Sequence, residues 1–111
     1  MLIPWVERSL KRKLAYNINP SKRVIKYLRK LKNRQLKEKF TDAIYGTIAN
    51  DPYVGNEKHG DLSSYFAYGF KYDRVDYRIA YTINGDNEIV IVVLAGSHEK
   101  FYEQLKRIVN R

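Results

Sequence analysis

The sequence predicts an α+β fold: a small antiparallel sheet with an N-terminal helical hairpin packed on one face and a C-terminal helix. Two changes of period carry the prediction. Apolar residues recur at helical spacing from Val24 to Ile48, alternate from Tyr65 to Ile83, and return to helical spacing from Phe101 to Val109. Pro20, Pro52 and the Asn84-Gly85 pair fall where one pattern gives way to the next.

The elements follow in order. Leu2, Ile3, Trp5, Val6 and Leu10 suit a short amphipathic helix in an extension, residues 1–12, ahead of a single domain, residues 13–111. Leu14 to Ile18 suits a short strand, at the sheet edge or beside the central strand. Asn19 is expected to cap a helix with Pro20 at its first position, where a missing N–H costs nothing. Val24, Ile25, Leu28 and Leu31 form its apolar stripe, and Asn33 breaks it. Leu36, Phe40, Ala43, Ile44 and Ile48 form a second stripe, which ends by Asp51 because the residue before Pro52 disfavours helix. Residues 52–63 read as a loop. Two strands follow, 64–72 and 75–83, then a turn at Asn84-Gly85-Asp86-Asn87, where Asn and Gly accept positive φ. Ile89 to Ala95 is apolar on both faces, as expected of a strand covered on both sides. Gly96-Ser97 is read as a sharp turn into a helix from His98 to Val109. The helices are expected on one face of the sheet.

Length and composition set bounds. The chain has 111 residues, 44% of them hydrophobic, which suits one compact domain. It has no cysteine, which excludes disulfides and thiolate metal sites and fits a reducing cytoplasm. Apolar runs are too short to span a bilayer. Met1 to Glu7 lacks the basic and long apolar regions of a secretory signal. The formal charge is +9, and it is unevenly placed. Residues 8–39 hold 13 of the 21 Lys and Arg against the single acid Glu38, a net of +12 that leaves −3 elsewhere. A field so concentrated suits a polyanion, beyond what solubility requires.

The alternation sorts side chains by face. Phe66, Tyr68, Phe70, Tyr72, Tyr77, Ile79, Tyr81 and Ile83 are bulky and belong under the helices. The opposite face carries Tyr65, Ala67, Gly69, Lys71, Asp76, Arg78, Ala80 and Thr82, a shallow surface with a small-residue floor. His98 follows the last strand at the start of a helix whose positive end favours a phosphate, with Tyr102 four residues on. His59 lies in the loop feeding the first hairpin strand. Each has a plain structural reading: Arg78 paired with Asp76 or Glu88, His98 a polar helix-start residue, Tyr102 core, His59 solvated. Their convergence on one sheet face favours a site.

In Asn19-Pro20-Ser21, the basic helical hairpin, Asp51-Pro52, Tyr77-Arg78-Ile79-Ala80-Tyr81 and Gly96-Ser97-His98, the chain resembles the RelE/ParE superfamily of bacterial toxins from toxin–antitoxin pairs. The resemblance covers about residues 13–108. Within it, His59, Asp76-Tyr77, His98 and Tyr102 match the pattern of the YafQ-like branch of RelE-type mRNA interferases. A further histidine of that branch has no counterpart, Lys71 and Tyr72 standing near its place. Lys71 and Arg78 match the lysine and arginine of RelE proper, so the chain mixes two versions of the site.

The resemblance implies a RelE-like fold and a cytoplasmic endoribonuclease that cuts mRNA on the translating ribosome, without metal or cofactor. A ribose 2′-OH attacks its own phosphate, a general base takes the 2′ proton, cations stabilise the phosphorane, and a general acid protonates the leaving 5′-oxygen. His98 is the candidate acid or base, with Asp76 or His59 as its complement. Arg78 and Lys71 would hold the phosphate, and Tyr102 would stack on a base or orient the phosphate. Lys22, Arg23, Lys26, Arg29, Lys30 and Lys32 would grip ribosomal RNA through its backbone. A cognate antitoxin with a small acidic segment is the implied protein partner, and no membrane is involved. The competing expectation is a ParE-like toxin that inhibits DNA gyrase without catalysis; a third is an RNA-binding module with a decayed site.

Overall fold

A computed structural model describes residues 16–84 and 89–110. Five strands form one sheet in the order β1-β5-β4-β3-β2. They are β1 (Asn17–Pro20), β2 (Asn56–Glu57), β3 (Tyr65–Tyr72), β4 (Val75–Ile83) and β5 (Ile89–Ser97). The expected antiparallel pairing holds for β2 to β5, but β1 runs parallel to β5, from Asn17 opposite Ile89 to Pro20 opposite Val92. β1 is thus at once an edge strand and the neighbour of the strand covered on both faces. The extension at residues 1–12 and turn residues Gly85 to Asn87 lie outside the described residues.

The helical hairpin begins two residues later than expected. Pro20 ends β1, and Ser21 caps α1 (Lys22–Lys30), its hydroxyl accepting the Val24 N–H at 3.2 Å. The Ser21 N–H donates to Val92 O at 2.9 Å, so pairing with β5 keeps Asn19 and Pro20 extended. Asn33 both ends the first helical run and starts the next: its side chain accepts the Leu36 N–H at 3.1 Å and caps α2 (Arg34–Asp42). A π-helix continues it over Ala43–Ile48, and its wider turn keeps Ala43, Ile44 and Ile48 buried. Residues 52–63 are more ordered than a loop. They hold 3₁₀ turns at Pro52–Val54 and Gly60–Leu62 and the two-residue β2.

The bulky sheet face closes under this hairpin. Val24, Leu36, Phe40, Ile44 and Ile48 pack with Ile79, Tyr81, Val90 and Val92. Phe40 meets Tyr27, Phe70 and Tyr77 edge-on, with centroids 5.5, 5.0 and 5.6 Å away. Such contacts add to area burial. Tyr81 is fully buried; its hydroxyl donates to Pro52 O at 2.6 Å and accepts the Gly55 N–H at 3.1 Å. Burial pushes its phenol up to about 12, although the bond from Gly55 acts the other way.

The expectation of all helices on one face is corrected by α3 (Phe101–Val109). It packs on the opposite face, where Phe101 and Leu105 meet Leu62, Ala80 and Leu94. Two features permit this. Between Ala80 and Tyr81 the β4–β5 register jumps from Leu94 to Val92. The bulge turns Leu94 away from the face that buries Val90 and Val92. Opposite Leu94, Ala80 gives a floor that a helix can approach closely. The chain reverses after β5 at Lys100, in the left-handed region at φ 58, and not at Gly96-Ser97, which stay within the strand. No helix among the described residues is long and apolar enough to cross a membrane.

Candidate functional site

Strand register arranges the small-residue face in rows. Ala67, Ala80 and Leu94 form one buried row, and α3 and Leu62 cover Ala80 and Leu94. Gly69, Arg78 and Gly96 form the next, and it is open. Lys71 and Asp76 begin a third, and the His98 N–H donates to Asp76 O at 2.8 Å, extending the ladder one residue beyond β5. Arg78, Lys71, Asp76 and His98 therefore share one end of one face. α3 stops short of this end and brings Tyr102 to its rim. The Tyr102 and His98 rings meet edge-on with centroids 5.8 Å apart.

Arg78 is half-buried, yet no ion pair ties it to Asp76 or to any other described residue. Lys71 and His98 are exposed. A cation held against the sheet, a second cation, a carboxylate, an imidazole and a phenol thus face solvent together. The arrangement is a shallow surface, with a small groove beside it lined by His98, Lys100, Phe101, Tyr102 and Glu103. An open surface suits an extended polymer better than a small molecule, which needs a concave pocket. No group of three or more His, Asp or Glu side chains comes together among the described residues as a ready metal ligand set.

His59 sits at the start of the 3₁₀ turn Gly60–Leu62, where its carbonyl accepts the Leu62 N–H. Its imidazole is exposed and has no hydrogen-bond or ring partner among the described residues, so it is not brought into contact with His98 or Arg78. The neighbouring Lys58 instead reaches Tyr102 at the rim. Its ammonium lies 4.7 Å from the centre of the Tyr102 ring. β2 explains the exchange: Lys58 N–H donates to Tyr65 O at 2.8 Å, which continues the pairing of Asn56 with Ala67 and puts Lys58 on the small-residue face. Lys58 went unread in the sequence because a two-residue strand leaves no periodicity to see.

The basic residues Lys22, Arg23, Lys26, Arg29, Lys30 and Lys32 are all exposed. Lys22, Arg23, Lys26 and Lys30 edge a groove beside Tyr27. They belong to the helical layer on the other side of the sheet from Arg78 and His98. Most of this charge thus lies apart from the site, although Arg23 also lines a groove with Gln104, Arg107 and Ile108 of α3, which packs on the site's face.

A family model for the ParE-like toxin of type II bacterial toxin–antitoxin systems matches residues 10–106. The chain belongs to this family. Solved structures agree on the fold of the toxin. It is similar to the RelBE2 toxin–antitoxin complex of Mycobacterium tuberculosis, with 18% identity over 76% of this chain and 99% of that one and a TM-score of 0.65. Isolated RelE toxin of E. coli matches with 23% identity over 85% of this chain and 99% of that one, TM-score 0.61. The intact E. coli RelBE toxin–antitoxin complex matches with 22% identity over 74% and 95%, TM-score 0.58. A comparison with curated proteins gives no match. The protein is thus a type II system toxin with a RelE-like fold.

Proposed function

We propose that the toxin is an endoribonuclease that cuts mRNA, on the ribosome, at the open end of the small-residue sheet face. One observation supports this above the others: an arginine without an ion-pair partner among the described residues shares its end of the face with Lys71, Asp76, His98 and Tyr102. In this reading a ribose 2′-oxygen attacks the adjacent phosphorus while Asp76 or His98 takes its proton. The bond from phosphorus to the 5′-oxygen breaks, and the remaining acid protonates that oxygen. The products are a 2′,3′-cyclic phosphate and a 5′-hydroxyl. Arg78 and Lys71 neutralise the charge that builds on the phosphorane, the guanidinium by a planar fork. Tyr102 stacks on a base beside the scissile bond. His59, exposed in the loop before β3, is the alternative complementary acid or base.

The basic helical hairpin holds the ribosomal RNA backbone, and binding there falls with salt. An acidic segment of a cognate antitoxin neutralises the toxin by covering the hairpin or the open face. Residues 13–111 act as the toxin domain, with residues 1–12 as an N-terminal extension.

Primer extension on mRNA after induction tests the proposal. Wild type gives new 5′ ends within reading frames and stops growth. His98→Ala and Arg78→Ala each lose about 100-fold or more in cleavage and no longer stop growth, the scale of removing one acid–base group or one charge-stabilising donor. Full toxicity in both variants, or DNA damage with intact mRNA in wild type, contradicts the nuclease and favours gyrase inhibition.

A further inference from the structure

The open row of the sheet contains a glycine on each side of Arg78: Gly69 opposite it in β3 and Gly96 opposite it in β5. Glycine weakens a strand and packs nothing, so two of them flanking one arginine need a reason. Backbone conformation is not the reason. Among the described glycines only Gly60 has positive φ. The two positions differ instead in what stands over them. A Cβ added at Gly69 would collide with Nη1 of Arg78 and come within 2.9 Å of Cζ and 3.2 Å of Cδ. The Arg78 side chain therefore lies across β3 from Cδ to its tip, in the space a side chain at 69 would fill. A Cβ added at Gly96 would meet nothing within 4 Å.

We infer that Gly69 is a positioning residue that seats the Arg78 guanidinium across β3, and that Gly96 keeps the lane between Arg78 and His98 open for the scissile phosphate of an RNA strand. The inference rests on the nuclease reading above and adds where the phosphate lies and what aims the cation at it. Directly opposed side chains in an antiparallel pair stand about 5 Å apart. A residue larger than glycine at 96 would thus stand beside both Arg78 and His98, at the edge of the ground between the guanidinium and the imidazole. At 69 it would push the guanidinium toward that same ground. The neighbour of a new Cβ at 69 is the flexible end of a side chain, and at 96 it is open space, so alanine at either position leaves the fold intact.

Purified wild type, Gly69→Ala, Gly96→Ala, Arg78→Lys and Gly69→Ala/Arg78→Lys are compared in single-turnover cleavage of a ribosome-bound mRNA, with melting temperatures alongside. Gly69→Ala lowers the maximal rate by about 10- to 100-fold, as expected for a misplaced catalytic group, with an unchanged melting temperature. In the Arg78→Lys background, with no planar fork to displace, adding Gly69→Ala changes the rate by less than about threefold. The same proteins are titrated with a 2′-deoxy-substituted RNA that cannot be cut, followed by the backbone amide signals of residues 69 and 96. Both signals move in wild type, and Gly96→Ala binds at least about tenfold more weakly because the lane is filled. Gly69→Ala cutting at the wild-type rate, or losing as much in the Arg78→Lys background, overturns the positioning role. Wild-type affinity in Gly96→Ala overturns the phosphate lane. Wild type that binds the uncut RNA at these amides but cleaves nothing defeats the nuclease reading and leaves the lane standing.

Discussion

The two faces of the sheet are built from alternate residues of the same strands, yet they are finished in opposite ways. Under the helical hairpin, Phe66, Phe70, Tyr77, Ile79 and Tyr81 pack with Phe40, Ile44 and Ile48, and most of the face is covered, save a groove between α2 and β3 beside Tyr68, Phe70 and Tyr72. On the other side, α3 covers Ala80, Leu94 and Val93, and the rows of Gly69 and Lys71 stay open. Both faces thus hold buried apolar groups, but only the open end of the α3 face leaves small and charged groups in water. Alternation within a strand can therefore set a core residue and an open charged residue side by side.

Substitutions on the two faces should separate in the same way. The largest loss of stability is expected from Phe40→Ala, which removes a fully buried ring with three aromatic neighbours; chemical denaturation should show a loss of about 3–5 kcal/mol. Tyr81→Phe should cost about 1–3 kcal/mol, because Pro52 O and the Gly55 N–H lose their partner together. It should also change the response to alkali. The folded phenol ionises near 12 against an ordinary value of 10, so its contribution to stability is complete below pH 10 and is lost as the pH rises toward 12. Denaturation midpoints measured across that window should fall more steeply for wild type than for Tyr81→Phe. Ser21→Ala should cost about 1 kcal/mol by removing the cap of α1. Removal of Lys22 or Lys26 should leave stability unchanged and lower the salt slope of ribosomal RNA binding by about one per lost contact.

Much of this was legible in the sequence. Strand alternation placed β4 at residues 75–83 and assigned each of its side chains to the correct face, because period two has no other reading there. The membership of Arg78, Asp76 and Lys71 in one face followed from that alone. Helix boundaries were less legible. Asn19-Pro20 is a good start signal, but pairing with β5 held both residues in a strand and passed the cap to Ser21. The face chosen by α3 was not legible. Its apolar stripe says that it packs, and only the bulge beside Ala80 says where. Gly96 was misread as a turn because a glycine near a strand end most often marks one; here it marks space. Lys58, one residue before the His59 singled out in the sequence, lies against Tyr102, which only the pairing of β2 could reveal.

If the open face serves the proposed cleavage and not folding, removing its imidazole should separate the two. The most direct test measures both on one protein: the melting temperature and the single-turnover cleavage of ribosome-bound mRNA by His98→Ala. The expected result is a melting temperature equal to wild type, a cleavage rate lower by about 100-fold or more, and a 2′,3′-cyclic phosphate at the end of the wild-type product. Cleavage at the wild-type rate by His98→Ala would contradict it.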